Sequence, residues 1–300
     1  RRPVPRHWPL AVLTEASIAQ ILVNGLTSGS FYVLMALGFT LIFGIMRLVN
    51  FAHGEFYMLG AFVVYHLYGR LDVNFFLALA ASAVTVGILG AIVERVIFVP
   101  LRSRELSMLM SALGLQIALQ GVMAVTEGVE ALSLPAPVSG VYRSSWLIFP
   151  YDRLLVVAVA AVVLALFYAF ITWSKFGQAL RAVAQDAEAA LMQGIPVNRV
   201  YTLAFAIGCA LAAIAGGVIG PVFSLHVYMG QAAILKAFVV VILGGLGSVP
   251  GAVVGGLVLG LAESVFASLF GVLVSDMLGF LLIMMILLWR PFGLLGHATA

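Results

Sequence analysis

Within the run Asn50-Phe-Ala-His-Gly-Glu55 an amide, an imidazole and a carboxylate stand close together in otherwise apolar surroundings. An ionised carboxylate turned toward acyl chains is costly, so Glu55 must face a cavity, a partner or the protein interior. His53 and Glu55 are two positions apart, which puts them on different faces of a helix and makes them poor co-ligands of one metal unless the backbone breaks at Gly54. The trio reads as a structural or gating network, as lining of a solute path, or as part of a metal site. Lys236 lies inside Ala232–Val241, and Glu263 lies inside Leu257–Leu269. The lysine either snorkels or pairs with a carboxylate, or else belongs to a polar path. With Asn24 and Ser28 from the first apolar segment, the candidates for a translocation path are Asn24, Ser28, Asn50, His53, Glu55, Lys236 and Glu263. No residue is assigned to catalysis or to a metal. The sequence has no Gly-x-Ser-x-Gly and no His-Glu-x-x-His, and Tyr151-Asp152 lacks a Gly-x-Gly-Asp companion, which disfavours an intramembrane enzyme.

The elements that must hold these groups follow from composition. Of 300 residues 63% are hydrophobic and 9% charged, and the mean hydropathy is +1.16. A soluble domain carries about 25% charged residues, so this chain lacks the polar surface to cover itself in water, and lipid is its solvent. A spanning helix needs about 20 apolar residues, which leaves room for roughly eight to ten spans. The net charge of +3 comes from thirteen arginines and two lysines and is read as a topology signal rather than a nucleic-acid patch. The lone Cys209 excludes an internal disulfide and a cysteine metal cage. Arg1–Pro9 reads as an amino-terminal tail and not a removed signal, and the absence of an initiator Met as a trimmed start.

Apolar segments fall near 17–46, 51–68, 75–99, 106–125, 153–173, 200–220, 231–249, 251–270 and 277–289. The first is too long for one upright helix and rich in Gly25, Gly29, Gly38 and Gly44, so a break or a second short crossing is expected there. Cytoplasmic loops collect Lys and Arg. Placing Arg1, Arg2, Arg6, Arg102, Arg104, Lys175, Arg181 and Arg199 inside puts the 126–152 loop outside and Arg290 inside, and requires an odd number of crossings in 17–69. Small-xxx-small pairs at Gly25/Gly29, Gly216/Gly220, Gly251/Gly255 and Gly256/Gly260 are expected to be helix contacts within the subunit, with a dimer seam as the other reading. Leu243-Gly-Gly-Leu-Gly-Ser-Val-Pro-Gly251 lacks the Gly-Lys-Ser/Thr of a phosphate loop and reads as a tight turn. Glycine-interrupted stretches at Gly44–Gly60 and Gly244–Gly260 give the chain a weak two-part character, of the kind that marks substrate paths in transporters.

Ser174–Val200 is a polar insertion. From Gln178 to Met192 it holds helix formers without Gly or Pro, with Leu180, Val183, Ala187, Ala190 and Leu191 at three-and-four spacing. The spacing predicts one amphipathic cytoplasmic helix, stopped at Gly194-Ile-Pro196. Its acids balance its bases, whereas a helix lying on lipid carries a Lys/Arg-rich polar face, so a protein partner is expected.

Glu188-Ala189-Ala190, three more residues and Gly194 resemble the EAA loop of ABC-transporter permeases, without the later Ile-x-Leu-Pro part of that pattern. Asn50-Phe-Ala-His-Gly-Glu55, preceded by Ala36–Gly44, resembles the amino-terminal signature of the branched-chain amino acid permease family. Arg181-Ala-Val-Ala-Gln-Asp186 and Leu243–Ala252 resemble its later signatures. The similarity runs from about Asn24 to Gly293. It implies an all-α polytopic integral membrane protein with discontinuous segments and a cytoplasmic coupling helix. A single permease domain, 1–300, is divided into helices 17–173, a coupling loop 174–200 and helices 201–290. It further implies an inner-membrane permease subunit of an ATP-driven importer for branched-chain or related hydrophobic amino acids. The implied partners are a homologous second permease, two cytoplasmic ATPases, a periplasmic or lipid-anchored binding protein and membrane lipid, with no nucleic acid. The ATPases use ATP and Mg; this chain binds no cofactor and has no P-loop. Coupling to the ATPase falls to Arg181, Asp186, Glu188, Ala189, Ala190 and Gly194. A urea or short-chain amide permease is an alternative within the family, and an ion-coupled carrier or channel is an alternative of another class.

Overall fold

The computed structural model describes residues 15–47, 49–102, 104–144, 148–290 and 293–295. The arginines at 1, 2 and 6, and the tail to Pro9, lie outside the described residues. Among the described residues, nine apolar helices form the bundle: α1 (Glu15–Met46), α2 (His53–Val64), α3 (Phe75–Val93), α4 (Glu105–Glu127), α5 (Tyr151–Trp173), α8 (Val197–Ile219), α9 (Met229–Gly244), α10 (Val249–Phe270) and α11 (Val272–Trp289). Two shorter helices, α6 (Lys175–Gln185) and α7 (Ala187–Met192), lie between α5 and α8. Among the described residues, seven helices are long and apolar enough to cross a membrane. Wider π turns extend α2 to Arg70 and α3 to Phe98. The 126–152 loop carries a small hairpin, β1 (Val141–Arg143) against β2 (Ile148–Pro150), and is tied to the α8–α9 connection by a bridge between Leu132 and Leu225.

Helices α1, α2 and α8 form the centre, and α4, α5 and α11 stand at the periphery with many apolar side chains outward. That distribution suits a bundle solvated by lipid, where small residues rather than hydrophobic force set the helix contacts. The most extensive pair is α1 with α10. Gly25 and Gly29 face Leu261, Gly260 and Gly256, and Gly44 faces Gly247, so the two helices run antiparallel. A methyl group on Gly260 would stand 2.3 Å from the Gly29 nitrogen. Both glycine pairs are thus contacts within the subunit.

The expected break in the first segment is absent. Helix α1 runs unbroken for 32 residues, because its glycines admit neighbouring backbones and leave its own hydrogen bonds intact. One end of α1 is fastened to the 126–152 loop side, where Gln20 Oε1 accepts from Ile148 N at 3.3 Å and Asn24 Oδ1 accepts from Arg153. Its other end, at Ile45–Arg47, borders Val183–Ala187 of the polar insertion. From there the chain climbs back into the bundle, and α2 rises to the loop side, where His66 and Arg70 meet Glu127 at 3.0 and 3.8 Å. Residues 17–69 therefore make two passes, an even number. This corrects the odd count, which rested on amino-terminal arginines being inside. Arg102, Arg104, Lys175, Arg181, Arg199 and Arg290 remain at the opposite end from the 126–152 loop, and that end is cytoplasmic by its positive charge.

Two helices begin at mid-depth. His53, the first residue of α2, abuts Gly38 of α1, which in turn meets Gly208 at the centre of α8. A Cβ on Gly54 would lie 2.2 Å from the Gly230 oxygen, so the first turns of α2 and α9 touch backbone to backbone. The glycine run at 243–251 is a turn: Gly245 and Gly247 have φ of +106° and +79°, values that favour glycine, and Ser248 Oγ then caps α10 by accepting from Gly251 N at 3.1 Å.

Candidate functional site

Three groups of polar residues occupy different depths of the bundle. In the middle, Asn50, His53 and Glu55 are fully buried. Asn50 starts α2: its Oδ1 accepts from Ala52 N at 3.1 Å and its carbonyl accepts from His53 N at 3.1 Å. Glu55 sits in the first turn of α2, and its Oε1 would lie 3.1 Å from a Cβ on Gly230 in the first turn of α9. Two helix amino ends thus face one carboxylate, each contributing partial positive charge. Gln120 of α4 adds a hydrogen bond to Glu55 Oε1 at 2.8 Å. His53 packs edge-on to Phe39 with ring centres 5.8 Å apart. Among the described residues no group of three or more His, Cys, Asp or Glu is placed to hold a metal.

Toward the loop side, α1, α10 and α11 enclose an open cavity of about 580 Å³. Asn24, Ser28, Tyr32, Glu263, Ser268 and Asp276 are among its lining residues. A second cavity of about 230 Å³, lined by Tyr57, Met229 and Lys236, shares Tyr32 and Phe223 with the first. Lys236 pairs with Glu263 and, at 2.9 Å, with Asp276. Tyr32 donates to Glu263 Oε2 at 2.5 Å, and Ser275 donates to the Glu263 carbonyl at 2.7 Å. The ammonium also lies 5.4 Å from the Phe280 ring centre. Asn24, Ser28 and Glu263 therefore line the larger cavity and Lys236 the smaller one that adjoins it, while Asn50, His53 and Glu55 line neither. Tyr32 and Asp276 were not among the residues singled out by sequence. Asp276 stands one residue before the last apolar window, where it reads as loop, and Tyr32 is an ordinary aromatic in an apolar run.

At the cytoplasmic end, the single predicted helix 178–192 is two. Asp186 takes an extended backbone and caps α7, its Oδ1 accepting from Glu188 N at 2.9 Å and Ala189 N at 3.0 Å. Ser174 caps α6 in the same way through Gly177 N at 2.9 Å. Leu180, Val183 and Ala190 are buried as the spacing predicts, but Leu191 is 62% exposed and Met192 87%. The bend at Asp186 turns the end of the apolar stripe outward. Gly194, at φ +79°, reverses the chain into Pro196 and α8. Glu188 and Leu191 border a cavity of about 410 Å³ with Pro196–Arg199. Arg181 turns back instead, donating to the Ile171 carbonyl in the last turn of α5, where orphan carbonyls need a partner. Asp186, Glu188, Ala189 and Gly194 are exposed, and Ala190 is buried beneath them.

Comparison with known proteins fits this frame. The family described as "Branched-chain amino acid transport system / permease component" matches residues 21–288. The chain belongs to this family. The high-affinity branched-chain amino acid transport system permease protein LivH of Salmonella typhimurium is 36% identical over 297 residues, covering 93% of this chain and 95% of the relative. The permease protein BraD of Pseudomonas aeruginosa is 37% identical over 293 residues with the same coverage. A probable branched-chain amino acid transport permease protein LivH of Methanocaldococcus jannaschii is 27% identical over 250 residues, 81% of this chain and 79% of its own. No solved structure matches. Family membership and the spanning helices together make this chain a multi-pass inner-membrane protein and a transport permease component.

Proposed function

We propose that this chain is the membrane-spanning subunit of an ATP-driven importer, carrying branched-chain or related hydrophobic amino acids inward. The observation that carries the reading is the pair of short capped helices at the cytoplasmic end, whose exposed Leu191 and Met192 stand beside Glu188 and Asp186 on a chain with no P-loop of its own. An apolar tip rimmed by acids is suited to a groove on a soluble partner, and energy from nucleotide has to enter through such a contact. Two ATPases closing on nucleotide would move α6 and α7 as levers, biasing the bundle between outward and inward access. The solute class is supported by the relatives, whose names give branched-chain amino acid transport. A homologous second permease and an external binding protein complete the assembly in this reading.

The test is reconstitution in vesicles with both permeases, the ATPases and the binding protein. Leucine uptake is expected to require ATP. Charge reversal at Asp186 and Glu188, or a bulky residue at Gly194, is expected to lower stimulated ATP hydrolysis and uptake while the permease still inserts. Uptake by the purified subunit alone, driven by a proton or sodium gradient, would overturn the proposal.

A further inference from the structure

We propose that Lys236, Glu263 and Asp276, steadied by Tyr32, form a zwitterion-exchange site between the two adjoining cavities on the loop side, which takes an amino acid by swapping its charges for those of the protein. The proposal rests on the importer reading and names where in this subunit the solute's charged groups are met. Lys236 is 16% exposed and Glu263 10%, so this pair is shielded, whereas Asp276 is 55% exposed and faces the larger cavity. Glu263 keeps the shielded ammonium paired, and because an unpaired buried charge is far costlier than a broken surface pair, the exposed Asp276 is the partner that can be exchanged. An arriving α-carboxylate supplies the replacement. It takes the place of Asp276 on the Lys236 ammonium, and the released Asp276 carboxylate accepts the solute's α-ammonium. The number of ion pairs rises by one and no charge is left alone. No covalent bond changes and no proton moves.

The remaining geometry supports this division of labour. Tyr32 and the Ser275 hydroxyl hold Glu263 on two sides, at 2.5 Å on the carboxylate and 2.7 Å on the backbone, so Glu263 stays with Lys236 while Asp276 is the movable arm. Asp276 comes from α11, the peripheral helix, and Lys236 from α9, so the exchange also loosens a bridge between two helices. The smaller cavity beside Lys236 is lined by Phe31, Tyr57, Ile219 and Met229, apolar surface of the kind an aliphatic side chain requires. A neutral solute such as urea offers no carboxylate for the exchange.

The experiment uses the whole importer in vesicles, with labelled L-leucine uptake and stimulation of ATP hydrolysis by leucine-loaded binding protein read side by side. Lys236→Met is expected to cut uptake about tenfold or more while stimulation stays close to normal, since the cytoplasmic contact is untouched. Asp276→Asn, at a half-exposed position, is expected to show the same split. Lys236→Met combined with Glu263→Gln removes the stranded carboxylate and guards against misfolding; it is expected to insert and assemble, yet still fail in uptake. Normal uptake by that double variant, or by Lys236→Met alone, would overturn the site and leave the importer reading standing. ATP-independent uptake by the unaltered chain would instead remove the importer reading and this site with it.

Discussion

A side chain at Gly260 has nowhere to go. The added carbon would stand 2.3 Å from the nitrogen and 2.4 Å from the Cα of Gly29, and neither is the end of a flexible group that can swing away. Overpacking a fitted site costs about 1–3 kcal/mol, and a clash with backbone belongs at the upper end. Gly260→Leu is therefore expected to lower the thermal midpoint of the purified protein in detergent, whereas Gly114→Ala and Gly121→Ala, with nothing within 4 Å, are expected to keep or slightly raise it. Glu94 offers a second test. It is fully buried, bonded to Arg102 and accepting from the Thr202 hydroxyl at 2.6 Å. Arg102→Met strands that carboxylate and is expected to cost about 3–5 kcal/mol, and adding Glu94→Gln is expected to recover most of it in a double-mutant cycle.

At the scale of elements, the cap of α7 separates geometry from charge. Asp186→Ala removes the acceptor for two backbone amides and is expected to cost about 1 kcal/mol, seen as amide exchange in 187–192 faster by about fivefold. Asp186→Asn keeps the acceptor, so exchange is expected to stay slow even if the partner contact weakens. The same element shows where sequence reading stops. Hydropathy located the nine apolar helices found among the described residues, since each lies either against lipid or in the apolar interior of the bundle. It could not see the bend at Asp186, because a lone aspartate among helix formers fits either a helix interior or a cap, and only the tertiary path selects between them. In α1 the reverse error arose: Gly25, Gly29, Gly38 and Gly44 look like breaks when read along one chain, and become close contacts only once Gly260, Gly256, Gly208 and Gly247 stand opposite. Lys236 and Glu263 were legible as misplaced charges, whereas their cluster with Tyr32 and Asp276 depends on four helices meeting from distant parts of the chain.

For the whole molecule, the course of α1 fixes which face each terminus of the bundle occupies. A cysteine at Gln20, on the side of the 126–152 loop, is expected to react with an impermeant maleimide added outside intact cells, and one at Glu188 only after the cells are opened. Cys209 is fully buried and is expected to stay silent in both. Labelling of both positions from the same side would contradict the two-pass course of residues 17–69.

With 32 residues at about 1.5 Å each, α1 is a rod of about 48 Å, against roughly 30 Å of hydrocarbon. It overshoots the oily slab, and its surplus turns reach the Gln20 and Asn24 anchorage at one end and the Val183–Ala187 shelf at the other. Tyr32 rides on the same rod between those ends. A thrust delivered at the cytoplasmic tip thus has an unjointed shaft along which to reach the chamber where Tyr32 grips Glu263, with no chain of soft intermediaries to absorb the stroke.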